Sequence, residues 1–301
     1  MKQTAKLLLL ALVLWGAHLA KAQQEEGDVG STDTTESDEQ NGTNHTSGGN
    51  RAGRLINGVA ATSANKAYSV VMTIFGDVAF QTAGAIISNT EVLTSASSLK
   101  KAGTITKMSI LAAIGSSTYQ STSYNYKSYE LRSDFDSATL ANDVATITID
   151  GTFAGLPNVQ PIAVATKEIV VSTTNRTKCV VVGRGQNTSG GLNFLQSQAD
   201  YELLTDQECA TEFKQTLPSS MLCARAVSGY ACNVDSGAPL VCNGQLYGIL
   251  TEILSCTPSN TPKIQKFAKL PVISIPWPAP AVSTPNATLP IPSRKNYVSC
   301  P

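Results

Sequence analysis

The middle of this chain consists of short stretches in which apolar and polar side chains alternate. They are rich in Val, Ile, Thr and Ala, and they include Tyr68–Phe75, Gly84–Thr94, Met108–Gly115 and Asp143–Asp150. Alternation with a period of two is typical of strands with one buried face, and the Gly, Asn, Ser and Asp residues between the stretches favour turns. The pattern therefore predicts an all-β domain of antiparallel strands, either a sandwich or a barrel.

The two ends of the chain differ from this part in composition. Residues 1–22 combine early lysines, an apolar run and a small-residue end, which predicts a secretory signal peptide that is too short to span a bilayer. Residues 23–54 are an acidic pro-segment that we expect to be disordered, because it has too few apolar side chains to form a core. Residues 278–301 predict an extended Pro-rich tail.

The formal net charge of the chain is zero, with 22 basic and 22 acidic residues. Much of the acidic charge lies in the pro-segment, and the remainder of the chain is close to neutral. This balance gives no reason to expect nucleic acid or an anionic membrane as a partner. No motif predicts a metal ion or another cofactor.

The clearest functional indication is the run CNVDSGAPLVC at residues 232–242. It resembles the nucleophile loop of trypsin- and chymotrypsin-like serine proteases, with Ser236 in the place of the reactive serine. The resemblance implies the trypsin-like serine protease fold, two six-stranded antiparallel β-barrels, over residues 55–277. In this family the serine becomes reactive when an imidazole accepts its proton.

The imidazole that this chemistry requires is missing from its expected place. Residues 91–98 are EVLTSASS where the family shows WVLTAAHC, so the resemblance puts Ser97 at the histidine position. The chain has two histidines, His18 in the signal peptide and His45 in the pro-segment. Asp143, in the run NDVA, matches the carboxylate that would orient a histidine. We expect it to bond instead to the Ser97 hydroxyl or to backbone amides.

Other positions of the substrate cleft also depart from the family. Val234 stands where a glycine N–H joins the N–H of Ser236 in the oxyanion hole, and a β-branched residue disfavours the backbone conformation that this requires. The resemblance places the specificity pocket at four residues: Tyr230, Thr251, Glu252 and Ile253. We expect a closed pocket, because a tyrosine replaces the acidic floor and an isoleucine replaces a glycine at the entrance.

The start of the predicted domain resembles the activation site of the family. There, cleavage after a basic residue releases an amino terminus that pairs with the aspartate preceding the reactive serine. Arg54 is followed here by LING, so the resemblance predicts cleavage between Arg54 and Leu55. It also predicts a zymogen-like pairing of the new amino group with Asp235, in which two buried charges neutralise each other.

The chain has seven cysteines, all in its second half. Their spacing alone leaves the connectivity open. The resemblance implies three disulfides: Cys179–Cys242, Cys209–Cys223 and Cys232–Cys256. It also indicates that Thr82 and Ser98 replace both members of a further bridge. Cys300 is left over, which in a secreted protein predicts either a capped thiol or an intermolecular bridge, such as a disulfide-linked dimer.

Five N-x-S/T triplets are candidate N-glycosylation acceptors if the chain is secreted. They lie at Asn41, Asn44, Asn175, Asn187 and Asn286. We expect only some of them to be occupied, because such triplets also arise by chance.

Together these features predict a secreted, non-catalytic serine protease homologue. It would act by binding an extracellular protein, as an adaptor or decoy in an extracellular proteolytic cascade. One alternative is a serine-type endopeptidase or hydrolase with residual activity, in which Lys100 or Lys101 would serve as the base. The other is a structural extracellular glycoprotein whose acidic leader and Cys300 tail make the contacts.

Overall fold

The structure of the chain is a computed structural model that describes residues 55–56, 58–112, 121–185, 196–251 and 263–273. The chain separates into two units, Met1–Gly49 and Asn50–Pro301, and all the described residues belong to the second unit. The expected signal peptide, acidic pro-segment and Pro-rich tail therefore lie outside the described residues.

The first barrel follows a short strand, β1, at Val59–Ala60, and it contains the next six strands of the chain. They are β2 Ser69–Phe75, β3 Phe80–Ile86, β4 Glu91–Thr94, β5 Lys107–Ala112, β6 Thr122–Leu131 and β7 Ala145–Ile149. The strands are antiparallel, and they close the barrel in the order β2-β3-β4-β7-β6-β5. Alternate side chains of β5 and β7 enter the core, as the sequence pattern predicted.

The second barrel contains the remaining six strands. They are β8 Lys178–Gly183, β9 Ser197–Leu203, β10 Met221–Ala226, β11 Pro239–Cys242, β12 Gln245–Leu250 and β13 Ile264–Lys269. These strands pair in the order β9-β10-β13-β12-β11-β8, the pairing of β8 with β9 closes the barrel, and β1 adds to β9. The two antiparallel six-stranded barrels confirm the predicted fold class.

Short helices connect the strands in the described part of the chain. The α-helices are α1 Ser63–Lys66, α2 Ala96–Ala102 and α3 Asp206–Phe213, and 3-10 helices lie at Asn233–Asp235 and Leu270–Val272. Among the described residues, none of the helices combines the length and the apolar character needed to span a bilayer. The start of α2 contains Ser97, and the first of the 3-10 helices contains Val234 and Asp235.

The interior between the barrels is apolar and brings these two segments together. Buried side chains from both barrels form one cluster, which includes Leu93 and Val144 from the first and Leu246 and Ile249 from the second. Leu93 lies in β4, which leads directly into α2, and Val144 follows Asp143 at the start of β7. Packing at this interface therefore determines where the candidate site residues lie relative to each other.

Two disulfide bonds are present within the second barrel and its helix. Cys179–Cys242 joins the paired strands β8 and β11, and Cys209–Cys223 ties α3 to β10. Both pairs match the connectivity implied by the family resemblance. Cys232 is also disulfide-bonded, but its predicted partner Cys256 lies outside the described residues, as does Cys300.

Candidate functional site

The nucleophile loop lies directly against the first barrel. Gly237 has a φ of 78°, a conformation that favours glycine. A Cβ atom at this position would collide with the backbone oxygen of Ala83 and the hydroxyl of Thr94. The neighbouring Ser236 is held by its own carbonyl oxygen, which accepts hydrogen bonds from Ala83 N at 2.8 Å and Thr82 Oγ1 at 2.5 Å. The loop therefore contacts the first barrel through its backbone.

The side chain of Ser236 is turned into this interface. The residue is only 2% exposed. Its Oγ accepts a hydrogen bond from Ser98 Oγ at 2.8 Å and lies 3.1 Å from Ser95 Oγ. The Ser95 and Ser98 oxygens are themselves 2.6 Å apart. These three side-chain oxygens, of Ser95, Ser98 and Ser236, form a triangle that we call the hydroxyl ring.

The missing bridge of the family lies beside this ring. Thr82 Oγ1 is 3.3 Å from Ser98 Oγ, so the two residues that replace cysteines meet through a polar contact. Both residues are buried, and both also donate to Ser236: the Thr82 hydroxyl to its carbonyl oxygen and the Ser98 hydroxyl to its Oγ. A covalent link has thus been replaced by a set of hydrogen bonds that includes the nucleophile position.

Ser97 and Asp143 form a separate pair. The buried Asp143 accepts from the backbone N–H of Ser97 at 2.6 Å through one carboxylate oxygen and from the Ser97 hydroxyl at 2.7 Å through the other. The two bonds that the sequence offered as alternatives therefore occur together. Burial raises the pKa of Asp143 to about 6, and the two hydrogen bonds from Ser97 oppose this shift.

Helical geometry explains why the three serines at the start of α2 face two ways. Ser95 precedes the first residue of α2, and Ser98 follows three positions later, so both lie on one face of the turn. Ser97 points in another direction and meets Asp143. The hydroxyls of Ser97 and Ser236 thus have different partners, and the three positions of the expected triad are divided between two hydrogen-bonded groups.

The two lysines considered as alternative bases lie away from the hydroxyl ring. Lys100 donates to Ser137 Oγ at 2.9 Å, and its ammonium group is 5.8 Å from the centre of the Phe135 ring. The ammonium group of Lys101 is 5.2 Å from the centre of the Phe80 ring. Both lysines are exposed, so neither has the desolvated environment that a lysine base requires.

The backbone around Val234 adopts a helical turn. Val234 is the central residue of the 3-10 helix, and its φ is not among the positive values of the described residues. The turn directs the N–H of Asp235 to the carbonyl oxygen of Cys232 at 2.7 Å. A β-branched residue favours this conformation over the left-handed one that glycine tolerates.

Asp235 is completely buried and is held by backbone donors. One carboxylate oxygen accepts from the N–H groups of Arg184 at 2.8 Å and Gly185 at 2.9 Å, and the other accepts from Cys232 N at 3.0 Å. Burial raises the pKa of this carboxyl, while the three hydrogen bonds favour its charged form. The fully buried Leu55 side chain approaches the same place, since a Cβ atom at Gly183 would contact both Leu55 and Asp235.

The activation cleavage stays a prediction. Arg54 lies outside the described residues, and so does the bond that cleavage would break. The described side of the bond is ordered against the second barrel, because Ile56 O accepts from Tyr230 N at 2.9 Å.

Two of the four residues predicted to line the specificity pocket are described, and both are buried. Tyr230 belongs to the core of the second barrel and is 3% exposed. Thr251 is also buried, and its hydroxyl donates to Lys266 O at 3.1 Å. Glu252 and Ile253 lie outside the described residues.

A buried polar network beside Tyr230 was not found by sequence reasoning. Tyr201 donates its hydroxyl proton to Gln265 Oε1 at 2.5 Å and accepts from Ala231 N at 2.9 Å, and Gln265 Nε2 donates to Ala231 O at 3.1 Å. Every polar group named here therefore has a partner. The available signal was a glutamine two positions before the buried Phe267, and therefore on the same face of β13.

One of the five candidate glycosylation triplets, at Asn175, lies among the described residues. Asn175 is exposed in a turn that precedes β8, which is compatible with an acceptor site. The other four, Asn41, Asn44, Asn187 and Asn286, lie outside the described residues.

Comparison with known proteins agrees with this architecture. The family model described as Trypsin matches residues 55–270. Trypsin II-P29 of Gallus gallus is 31% identical over 134 residues, 43% of this chain and 52% of the relative. Trypsin of Xenopus laevis is 29% identical over 135 residues, 44% of this chain and 54% of the relative.

The chain thus spans about half the length of these two relatives. Trypsin alpha of Drosophila melanogaster matches over a longer region, with 26% identity over 244 residues, 78% of this chain and 89% of the relative. The family model covers more than half of the chain and both barrels. On this evidence the chain belongs to the trypsin family of serine proteases.

Proposed function

We propose that this protein is a secreted, non-catalytic serine protease homologue that acts by binding an extracellular protein. The observation that supports this most directly is the environment of Ser236. Its hydroxyl is buried among the neutral hydroxyls of Ser95 and Ser98, and a hydroxyl is too weak a base to take its proton.

The expected loss of rate is large enough to favour binding over catalysis. Removing the serine or the histidine of a comparable triad costs about 10⁶-fold in turnover. Loss of an oxyanion-hole donor costs about 10²–10³-fold, and Val234 occupies the position of that donor. Either defect would be severe, and the first alone removes nearly all of the rate enhancement.

Secretion is supported by the predicted signal peptide and by the disulfides. Disulfides persist mainly in oxidising compartments, and the described residues include two disulfide pairs and a fifth bonded cysteine, Cys232. The expected result of expressing the full chain in a eukaryotic cell is a protein in the medium that begins after residue 22. Retention inside the cell with residues 1–22 intact would contradict it.

The binding role follows from the retained scaffold. The barrels, the disulfides and the buried Asp235 would present the surface loops to a partner in a defined arrangement, and an adaptor or decoy in an extracellular proteolytic cascade is the role that the family membership favours. Cleavage after Arg54 would regulate this binding, and Cys300 would allow a disulfide-linked dimer.

Fluorophosphonate labelling of the purified protein tests the absence of catalysis. The probe is applied before and after cleavage at Arg54–Leu55, with trypsin as the positive control and Ser236→Ala as the negative control. We expect no labelling of Ser236 in either form, because the described partners of its hydroxyl, Ser95 and Ser98, are not bases. Labelling that disappears in the alanine variant would overturn the proposal and establish a serine hydrolase.

A further inference from the structure

We propose that Ser95 and Ser98 hold Ser236 as a structural residue, so that the hydroxyl ring is a second lock on the site, independent of the missing histidine. The inference rests on the proposed function, because it explains why the nucleophile position faces the protein interior. It also assigns a task to three serines whose joint role the sequence did not reveal.

The distances allow a closed circuit of hydrogen bonds. Ser98 donates to Ser236 at 2.8 Å, Ser236 can donate to Ser95 at 3.1 Å, and Ser95 can donate to Ser98 at 2.6 Å. Each hydroxyl then donates one bond and accepts one, so no buried proton in the ring lacks an acceptor. Such mutually polarised bonds strengthen one another in a poorly hydrated interior.

Rotating Ser236 towards the cleft would break this circuit. The hydroxyls of Ser95 and Ser98 would each lose a neighbour, and both residues are buried, Ser95 at 0% and Ser98 at 3% exposed. Leaving a buried donor or acceptor without a partner is costly. The ring therefore opposes the side-chain orientation that nucleophilic attack would need.

Two members of the ring are departures from the family run quoted above. Ser95 stands in place of an alanine and Ser98 in place of a cysteine, and neither of those residues offers a hydroxyl. A chain that follows the family run cannot form this ring. The lock is thus encoded by residues 95 and 98 and not by the serine at the histidine position.

The ring also links the two barrels. Ser95 connects β4 of the first barrel to α2 and Ser98 lies in the first turn of α2, whereas Ser236 precedes β11 of the second barrel. The carbonyl oxygen of Ser236 accepts from Thr82 and Ala83 of β3. The carbonyl oxygen and the hydroxyl of Ser236 are therefore both bonded to the first barrel. The family has a covalent bridge in this place, at positions 82 and 98.

Thiol reactivity tests the orientation without requiring a base or an oxyanion hole. The variant Ser236→Cys is made in a Cys300→Ser background and treated with a dithionitrobenzoate reagent under native conditions. We expect slow reaction, and reaction at least about tenfold faster after Ser95→Ala and Ser98→Ala are added, since one lost buried hydrogen bond is worth about that factor in an equilibrium. Equal rates in the two proteins would overturn the inference.

A matched control uses another buried serine. Ser69 accepts from Gln196 Nε2 at 3.0 Å and shares no partner with the ring. Adding Ser69→Ala to the Ser236→Cys protein should leave the thiol rate unchanged. If the Ser95/Ser98 double variant does not fold, either single variant opens the ring and replaces it in the test.

Thermal unfolding of a double-mutant cycle provides the second readout. Ser98→Ala and Ser236→Ala should each lower Tm by about 2–6 °C, and together by much less than the sum, because each breaks the same circuit. Ser69→Ala with Ser236→Ala should be additive. An additive Ser98/Ser236 pair would overturn the inference even where the unmodified chain stays unlabelled, so the inference can fail while the proposed function stands.

Discussion

The orienting pair, Ser97 with Asp143, and the hydroxyl ring lie at the same barrel interface but are built on different chemistry. The pair contains a buried carboxylate that accepts two short hydrogen bonds, and its pKa of about 6 makes it sensitive to pH. The ring contains only neutral groups. Of the three expected triad positions, Asp143 has thus kept an ionisable group, whereas Ser236 makes only neutral contacts through its side chain.

Under the proposed function, the lack of catalysis would have two separate physical causes. On the side of the pair, the proton acceptor is missing because Ser97 occupies its place. On the side of the ring, the proton donor is bonded to other hydroxyls. Restoring one side should therefore not restore the other, and the predictions below treat the two sides separately.

The largest expected effect comes from a variant that both supplies an imidazole at position 97 and releases the Ser236 hydroxyl from the ring. Ser97→His alone supplies an imidazole next to Asp143 but leaves Ser236 in the ring. We expect Ser97→His with Ser95→Ala and Ser98→Ala to react with a fluorophosphonate at least about tenfold faster than Ser97→His, because the freed hydroxyl can meet the base.

The measurement is the rate of covalent labelling, with Ser69→Ala added to Ser97→His as the control for unspecific loosening. Faster labelling by Ser97→His alone, with no gain from opening the ring, would show that the histidine is the single missing part.

The next effect is a pH dependence of the free energy of unfolding, which we expect from the orienting pair and not from the neutral hydroxyl ring. The folded-state pKa of Asp143 is raised from 3.8 to about 6, so the folded protein binds this proton more tightly than the unfolded chain. Stability from this group is therefore greatest below about pH 4 and declines as pH rises to about 6. Asp143→Asn should abolish this contribution and should be more stable than the original protein at pH 7.5 by at most about 3 kcal/mol.

Urea unfolding at pH 4.5 and pH 7.5 measures this difference. The advantage of Asp143→Asn should shrink at the lower pH, while Asp235 adds a slope of the same sign to both proteins, because its pKa is raised by burial as well. A constant difference between the two pH values would contradict the assignment.

A smaller effect is expected from the ring itself. Ser236→Ala should lower the free energy of unfolding by about 1–2 kcal/mol, because it leaves the buried Ser95 and Ser98 hydroxyls with one partner fewer. This loss should be the same at pH 4.5 and pH 7.5, because all members are neutral. A neutral or stabilising effect, measured by urea unfolding, would show that the hydroxyl of Ser236 adds nothing to stability.

The smallest effect concerns an ion pair outside the interface and has the opposite pH sign. Arg176 donates to Glu208 through its two terminal guanidinium nitrogens, Nη1 and Nη2, and this lowers the pKa of Glu208 to about 2. The stability it contributes is present above about pH 4.5 and is lost as pH falls towards 2. Arg176→Ala should lower the free energy of unfolding at pH 7 only slightly, because solvent screens this partly exposed pair.

Acid unfolding followed by circular dichroism compares this variant with the original protein. Arg176→Ala should lose less stability than the original protein between pH 4.5 and 2. Parallel acid curves would mean that the ion pair does not contribute.

Much of the fold was predictable from local pattern and from the family resemblance. The alternation in β5 and β7 gave the inward face of each strand correctly, because a period of two is a property of the strand alone. The cysteine pairs Cys179–Cys242 and Cys209–Cys223 came from the resemblance, since spacing alone left them open. The position of Asp143 beside Ser97 followed in the same way.

The hydroxyl ring was not predictable by the same reasoning. Ser95 and Ser98 were visible as departures from the family run, and their spacing of three places them on one helical face. Nothing local indicates that this face meets Ser236, which lies 138 residues beyond Ser98 in the chain. The buried Tyr201 and Gln265 network was missed for the same reason, because its members come from different strands.

The sequence by itself determined the β-rich architecture, the family and the absence of a histidine from the barrel region, because each depends on residue type and local order. Tertiary structure alone decided where the serine at the nucleophile position points. Its orientation depends on the packing of one barrel against the other, because a buried hydroxyl needs a hydrogen-bond partner and this packing supplies Ser95 and Ser98. A residue that the sequence marks as a nucleophile thereby becomes part of the protein interior.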